Sequence, residues 1–143
     1  MMKTIPLNET TQLRHLEIAD VPDIYKAIDS QRDYLREFLP FVDRTKKQED
    51  TSAFVNAAVN AAEKQNEYTF VILVNYNFAG LVGFKDLDKE NKKAEIGYWL
   101  CEQYQGQGII TLAVKTLCKL AFKELHLNRI QIKCATGNIR SKR

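Results

Sequence analysis

The feature that most constrains the fold is a glycine-bearing turn between a strand-like segment and a helix-like segment. Residues 94–100 read AEIGYWL, which is typical of a strand, and Gly106 and Gly108 follow shortly after. An apolar periodicity then predicts a helix over 108–125 whose inward side chains are Ile110, Ala113, Val114, Leu117, Ala121 and Leu125. A strand predicted over 129–136 completes a unit in which a crossover helix joins two parallel strands.

The rest of the chain predicts an antiparallel meander with two helices. Strands are predicted over 11–17, 68–74 and 78–87, and the residues NYN link the last two as a hairpin. A helix is predicted over 19–30, with Asp20 as its cap and Pro22 in its first turn. A second helix over 46–66 has an apolar face made by Phe54, Val55, Ala58, Val59 and Ala62. The order β-α-α-β-β-β-α-β predicts a mixed α/β sheet.

Length and composition restrict the class of protein. A chain of 143 residues with 45% hydrophobic and 27% charged residues predicts one globular domain over 1–143. The N-terminal residues lack the apolar core of a secretory signal, and no apolar run reaches membrane-spanning length, so we expect a cytoplasmic protein without a membrane partner. Three widely spaced cysteines and two isolated histidines predict neither a disulfide framework nor a metal site.

The charge distribution and the glycine turn both favour an anionic ligand. Residues 103–143 carry eight basic side chains and one acidic one, although Lys115, Lys119 and Lys123 also have the spacing of a solvated helix face. The first N–H groups of a helix lack partners, and glycines let a ligand approach the backbone. Such a turn suits a phosphate, but a plain strand-to-helix turn would look the same.

Two common nucleotide motifs do not fit this turn. A P-loop needs Gly-Lys-Ser/Thr at the start of the helix, whereas Gly108 is followed by two isoleucines. A dinucleotide fingerprint needs a small residue near Thr111 and an acid after the next strand, and neither is present.

A longer pattern carries a family resemblance. Residues 103–108, QYQGQG, fit Q/R-x-x-G-x-G/A, the acetyl-CoA signature of the GNAT N-acetyltransferase superfamily. The run EIGYWL before it, LNRIQIKC with NIRS after it, and the earlier YLREFLPFV resemble the ribosomal-protein serine/alanine N-acetyltransferase branch, with Phe38 and Phe41 at positions where that branch has tryptophan. The resemblance spans about residues 10–143 and implies the GNAT fold and acetyl transfer from acetyl-CoA to a primary amine.

The resemblance also implies which residues form the site. The main-chain N–H groups of Gln105, Gly106, Gln107, Gly108 and Ile109 would hold the pyrophosphate. Trp99, Leu100 and Cys101 would line the pantetheine arm, and the Leu100 N–H would donate to the thioester carbonyl. Asn138 matches an asparagine near the pantetheine, and Ser141 matches a catalytic serine just beyond it.

The general base is the least determined part of this site. Strand alternation places Glu95, Gly97 and Trp99 on one face, and Glu95 is the best-placed carboxylate. Glu95 can equally be a salt-bridged strand residue, and Tyr98 can be a packed aromatic or a hydroxyl donor. Cys101 and Cys134 lack a histidine partner in sequence reach, which favours direct transfer over a covalent enzyme intermediate.

The sequence departs from the family at its C-terminus. Family members continue after N-x-x-S into a further helix and strand pair, whereas this sequence stops at NIRSKR. The expected fold therefore lacks these last elements, and we expect an exposed sheet edge that favours a homo-oligomer. Three functions stay open. The chain is an N-acetyltransferase for a ribosomal-protein N-terminus, a polyamine or an antibiotic, or it is a coenzyme A-binding module that is catalytically impaired. The third function is binding of RNA or the ribosome by the basic last segment, but that segment has no cluster of stacking aromatics to support it.

Overall fold

A six-stranded sheet with the predicted mixed topology forms the centre of the fold. The structure is a computed structural model that describes residues 4–36, 40–64 and 67–132. The strands lie side by side in chain order: β1 (Thr4–Pro6), β2 (Thr11–His15), β3 (Tyr68–Val74), β4 (Asn77–Asp88), β5 (Lys93–Leu100) and β6 (Arg129–Ile132). The first five pair antiparallel and β6 pairs parallel to β5, so the predicted α/β class and parallel crossover are confirmed. Strand β1 is not among the predicted strands, because three residues are too few to show a period.

The helices cover both faces of this sheet. They are α1 (Val21–Ser30), α2 (Arg32–Arg36), α3 (Gln48–Glu63) and α4 (Ile109–Lys123). Short 3-10 turns precede α1, α3 and the glycine turn. In the described part of the chain no helix has the length and apolarity needed to cross a membrane.

Strand alternation divides the buried side chains into two layers. On one face, Ala94, Ile96 and Leu100 of β5 pack in a cluster with buried residues of α4. On the other face, Trp99 packs in a cluster with buried residues of α1 and α3. The predicted alternation along β5 is therefore confirmed, and this strand separates the two helical layers.

Tight turns fix the antiparallel part of the sheet. Asn75 and Tyr76 both have positive φ, of 51° and 67°, and join β3 to β4 as a two-residue hairpin. Primed turns of this kind match the right-handed twist of the strands. The predicted link between these strands is confirmed.

Two predictions about the helices are corrected by the structure. Asp20 occupies the N-cap position of α1 as predicted, but its side chain makes no cap hydrogen bond: it accepts from the Glu17 N–H at 2.8 Å and from Arg14 through two bonds at 2.7 and 3.1 Å. The Arg14 guanidinium binds this largely buried carboxylate in place of the first N–H groups of α1. Phe54 is not inward, because α3 buries Thr51, Val55 and Ala58 and leaves Phe54 47% exposed.

Candidate functional site

The glycine turn adopts a left-handed backbone that glycine enters without strain and most other residues do not. Gly106 and Gly108 have φ of +78° and +75°, and Gly108 immediately precedes the first residue of α4. A Cβ built at either position would meet no protein atom within 4 Å. The glycines are thus required by conformation, and the space that their missing side chains leave is open to a ligand.

The N–H groups of this turn are available. The Gln105 N–H donates to the Glu102 carbonyl at 3.1 Å, and the first helical bond of α4 runs from the Leu112 N–H to the Gly108 carbonyl at 3.1 Å. Between them, the N–H groups of residues 106–111 have no acceptor among the described residues. Unpaired donors at the start of a 15-residue helix, together with its dipole, are the groups from which an anion-binding cradle is built.

Glutamine side chains hold the turn in place. Gln105 Nε2 donates to the Leu100 carbonyl at 3.3 Å, and Gln107 Nε2 donates to the Gln103 carbonyl at 3.2 Å. Gln31, at the end of α1, accepts from the Glu102 N–H at 2.8 Å and donates to Gln103 Oε1 at 3.2 Å. Gln31 is not among the predicted site residues, because nothing local in the chain indicates a contact 71 residues away.

The alternation of hydrogen bonds along β5 determines which of its N–H groups point toward β4 and which point toward the side where β6 pairs. The Cys101 N–H donates to the Ala79 carbonyl of β4 at 2.8 Å. Since bonded and non-bonded pairs alternate along an antiparallel ladder, the Leu100 N–H and carbonyl point away from β4. The bond from Gln105 to that carbonyl agrees with this direction. Leu100 therefore presents its N–H on the side where β6 pairs with β5, next to the glycine turn.

Trp99 and Cys101 flank Leu100 but face the opposite layer. The Trp99 ring lies 5.7 Å from the Phe78 ring, centroid to centroid, and both Trp99 and Cys101 are buried beside the α1 and α3 cluster. Burial raises the pKa of the Cys101 thiol above its ordinary value, which keeps the thiol protonated and disfavours it as a nucleophile.

Glu95 lies toward the other end of β5. It is five positions before Leu100, which at the rise of a strand is about 16 Å between Cα atoms. Lys85 of β4 stands directly opposite Glu95 in the register, and its side chain extends over Gly97. This arrangement brings Glu95 near a cation but does not bring its carboxylate into direct reach of the Leu100 N–H.

Three predicted positions, Cys134, Asn138 and Ser141, lie outside the described residues. Lys115, Lys119 and Lys123 are exposed on α4, as a solvated helix face requires. Across the described ranges no group of three or more histidine, cysteine, aspartate or glutamate side chains is placed to hold a metal ion.

Two neighbouring cavities lie on the sheet face covered by α1 and α3. One, of about 240 Å³, reaches from α1 to Trp99. The other, of about 250 Å³, lies over Gly83 and Gly97. Both are lined by Phe54, Leu81 and Trp99, so together they extend along β5 toward the transfer point predicted at Leu100.

The fold is that of an acyltransferase, and comparison with known proteins identifies the family. The Acetyltransferase (GNAT) domain family matches residues 11–143. The chain belongs to this family, which confirms the enzyme class and the fold predicted from the sequence.

Individual relatives and solved structures indicate which branch of the family the chain is similar to. The ribosomal-protein-serine acetyltransferase of Escherichia coli (strain K12) is 31% identical over 141 residues, covering 99% of this chain and 79% of that protein. The solved RimL ribosomal L7/L12 alpha-N-protein acetyltransferase in complex with coenzyme A superposes with a TM-score of 0.91 at 28% identity, covering 96% of this chain and 78% of that one. The acetyl transferase from Salmonella typhimurium that modifies the N-terminal serine of ribosomal protein L7/L12 gives a TM-score of 0.86 at 28% identity, over 96% of this chain and 78% of that one. The predicted resemblance to this branch is confirmed, and its solved members include a coenzyme A complex.

Proposed function

We propose that this chain transfers an acetyl group from acetyl-CoA to the N-terminal amine of a protein. The observation that carries the proposal is the row of N–H groups at residues 106–111, without acceptors among the described residues, beside the outward-facing N–H of Leu100. The open space at Gly106 and Gly108 fits a phosphate group approaching the backbone.

Each part of the site has a proposed role. The N–H groups of Gly106 to Ile109 hold the pyrophosphate, and the already bonded N–H of Gln105 leaves that residue to brace the turn through its side chain. When bound, acetyl-CoA supplies an acetyl group activated as a thioester. The Leu100 N–H donates to a carbonyl oxygen that gains negative charge, a contribution of about 3 kcal/mol for a preorganised donor.

The flanking residues complete this proposal. The backbone at Trp99 and Cys101 lines the pantetheine arm beside Leu100. The resemblance alone assigns Asn138 to binding of the same arm and Ser141 to catalysis.

Proton removal from the acceptor is assigned to Glu95, acting through water. The separation of about 16 Å along β5 requires such a relay. Asp50 lines the cavity next to Trp99, but N–H bonds from Lys46 and Lys47 lower the pKa of its carboxyl and occupy one of its oxygens. Glu95 thus stays the preferred carboxylate, and direct transfer stays preferred over attack by a cysteine.

The acceptor is proposed from the relatives. A relative named ribosomal-protein-serine acetyltransferase and a neighbour that modifies the N-terminal serine of L7/L12 favour a ribosomal protein as acceptor. The cytoplasm is the compartment we propose for the reaction. The two cavities that share Phe54, Leu81 and Trp99 form a groove along β5, and this groove offers a path by which a peptide N-terminus reaches Leu100.

The first experiment is a calorimetric titration of the 143-residue chain with acetyl-CoA in moderate salt. We expect micromolar binding, followed by thiol release when peptide N-termini are added. Acetylated peptide in the mass spectrum supports the transferase. Binding without thiol release across a broad amine panel contradicts transfer and favours a coenzyme A-binding module, and absence of binding by a folded chain contradicts the site itself.

A further inference from the structure

The cavity over Gly83 and Gly97 has a floor of bare main chain. Its volume is about 250 Å³, and these two glycines of β4 and β5 stand directly opposite each other in the register. Val82 and Tyr98 also line it, but their side chains pack in the layer of α4, so they contribute main chain to the floor. Side chains return at the cross-strand pairs on either side, which are Lys85 with Glu95 and Leu81 with Trp99. This face of the sheet is therefore open along one cross-strand pair.

The fold requires a glycine at only one of these two positions. A Cβ built on Gly83 would collide with the Tyr68 carbonyl oxygen of β3, whose position the sheet fixes. A Cβ built on Gly97 has its three nearest atoms in the flexible Lys85 side chain, at 3.4 to 3.7 Å, which is ordinary van der Waals contact. Gly97 also has no positive φ. Within the described part of the chain, neither sterics nor backbone conformation explains a glycine at position 97.

A glycine in the middle of a strand, without a reason in the fold, points to a close approach by a ligand. Glycine weakens a strand interior, because it packs no side chain and loses more entropy on folding than other residues. Glu95 and Trp99, the neighbours of Gly97 on the same face of β5, carry long side chains. Across the cavity, α3 presents the small Ala58 beside the half-exposed Phe54. This slot over Gly97, with a glycine floor and an alanine on the facing helix, suits the narrow main chain of a ligand.

The slot over Gly97 lies a short distance from the proposed transfer point. Gly97 is three positions before Leu100, which is about 10 Å along a strand. An extended polypeptide covers about 3.3–3.6 Å per residue, so a chain whose N-terminal amine reacts at Leu100 passes Gly97 near its third residue. Trp99, which directly precedes Leu100, lines the same cavity and connects the two points.

We infer that the slot over Gly97 receives the main chain of the acceptor at about its third residue, so that the acceptor is an extended polypeptide of at least three residues. The inference rests on the proposed function, because it takes Leu100 as the transfer point. In this assignment Gly97 touches no reacting atom, and its role is to position the acceptor. Lys85 extends over Gly97, but its exposed side chain is flexible and moves aside without disturbing the sheet.

Acetylation of peptides of increasing length tests this role. In an amidated series from Ser-Ala to serine followed by five alanines, we expect kcat/KM of the wild type to rise up to the third or fourth residue and then to level off. Gly97→Val should lower kcat/KM for the longest peptide about tenfold, the effect of inserting a branched side chain into a filled space, and should change the dipeptide value less than twofold. Gly97→Ala should have a smaller effect of the same kind. Gln131→Val is the matched control, because Gln131 is exposed on β6 and is not part of the lining of either cavity.

Stability measurements distinguish a positioning role from a purely structural one. Valine favours strands, and its Cβ at this position contacts the flexible Lys85 side chain, so Gly97→Val should unfold in urea at or above the wild-type midpoint. Gly83→Ala should be clearly less stable, because its Cβ meets the Tyr68 carbonyl. An equally large loss of stability in Gly97→Ala would show that Gly97 serves the fold, and it would overturn the inference.

Peptide binding separates this inference from the proposed function. The indole N–H signal of Trp99, the single tryptophan, reports binding of the N-terminally acetylated hexapeptide by NMR, and no transfer is needed. Acetylation that is independent of peptide length, or whose length dependence is retained in folded Gly97→Val, overturns the inference and leaves the transferase standing. Hexapeptide binding that Gly97→Val weakens about tenfold, with no peptide acetylated by the wild type, supports the slot and contradicts the proposed function. Equal hexapeptide binding by both proteins, or none by the wild type, overturns the inference.

Discussion

Substitution of Gly106 distinguishes two reasons for a glycine in the turn: the positive φ of the backbone, and the space that a ligand needs to approach it. At φ +78° a residue with a Cβ pays about 1–2 kcal/mol of backbone strain, partly offset by about 0.4–1 kcal/mol because glycine loses more entropy on folding. A built Cβ meets nothing within 4 Å, so no steric term within the protein is added. We expect Gly106→Ala to destabilise folding by about 1 kcal/mol, measured by urea unfolding, and Gly106→Val by more.

The same substitutions should affect ligand affinity far more than stability. If phosphate oxygens approach the Gly106 backbone, a Cβ displaces them and breaks at least one charge-assisted hydrogen bond of about 1.5–3 kcal/mol. This is a loss of roughly 10- to 150-fold in acetyl-CoA affinity by calorimetry. Acetyl-pantetheine, which lacks the pyrophosphate, is the control ligand and should bind all variants equally.

Gly106→Asn is the decisive variant, because asparagine tolerates the left-handed conformation but carries a Cβ. Weak acetyl-CoA binding by a stable Gly106→Asn protein supports the phosphate cradle. Wild-type affinity in Gly106→Asn would show that the glycine serves only the backbone, and wild-type affinity in Gly106→Val would refute the cradle.

Three further predictions address the reaction and the pH dependence of folding. Leu100→Pro removes an N–H that does not pair with β4, so we expect kcat to fall about 100-fold with acetyl-CoA affinity within a few-fold of wild type; an unchanged kcat would exclude this donor. Glu95→Gln should lower kcat at least tenfold without changing acetyl-CoA affinity, and unchanged turnover in steady-state assays would remove Glu95 from the mechanism. Burial lowers the pKa of His15 below its ordinary value of 6.5, so the unfolded chain takes up a proton first and folding stability should decrease as pH falls below about 6.5. His15→Phe should weaken the pH dependence of the unfolding free energy in this range, measured by urea unfolding at several pH values. An unchanged pH dependence would show that another group causes it.

Local patterns predicted much of the fold because they depend only on near neighbours in the chain. The period of α4 located its buried face, and Asn75 with Tyr76 marked the hairpin between β3 and β4. The same reasoning failed for Phe54, because one apolar residue can lie beside a stripe without belonging to it. The spacing of Thr51, Val55 and Ala58 carried the correct signal, but a threonine in that stripe was not recognised as an inward residue.

Long-range contacts could not be predicted in this way. Asp20 looked like a helix cap, but the Arg14 guanidinium holds its carboxylate through a bidentate pair. Gln31 braces the glycine turn from 71 residues away, and Lys85 stands opposite Glu95 on another strand. Each of these depends on how separate elements pack, and no local period encodes that.

The sequence by itself determined the order of the longer elements, the mixed sheet, the glycine turn before α4 and the acetyltransferase family, because these follow from periodicity, from glycine's freedom at positive φ and from a contiguous motif. Only the tertiary structure decided which N–H groups of β5 point toward β6, how Gln31 fixes the turn, and which side chains line the cavity beside Trp99. Those features arise from strand register and from packing between distant segments, where direction and distance matter and sequence spacing does not.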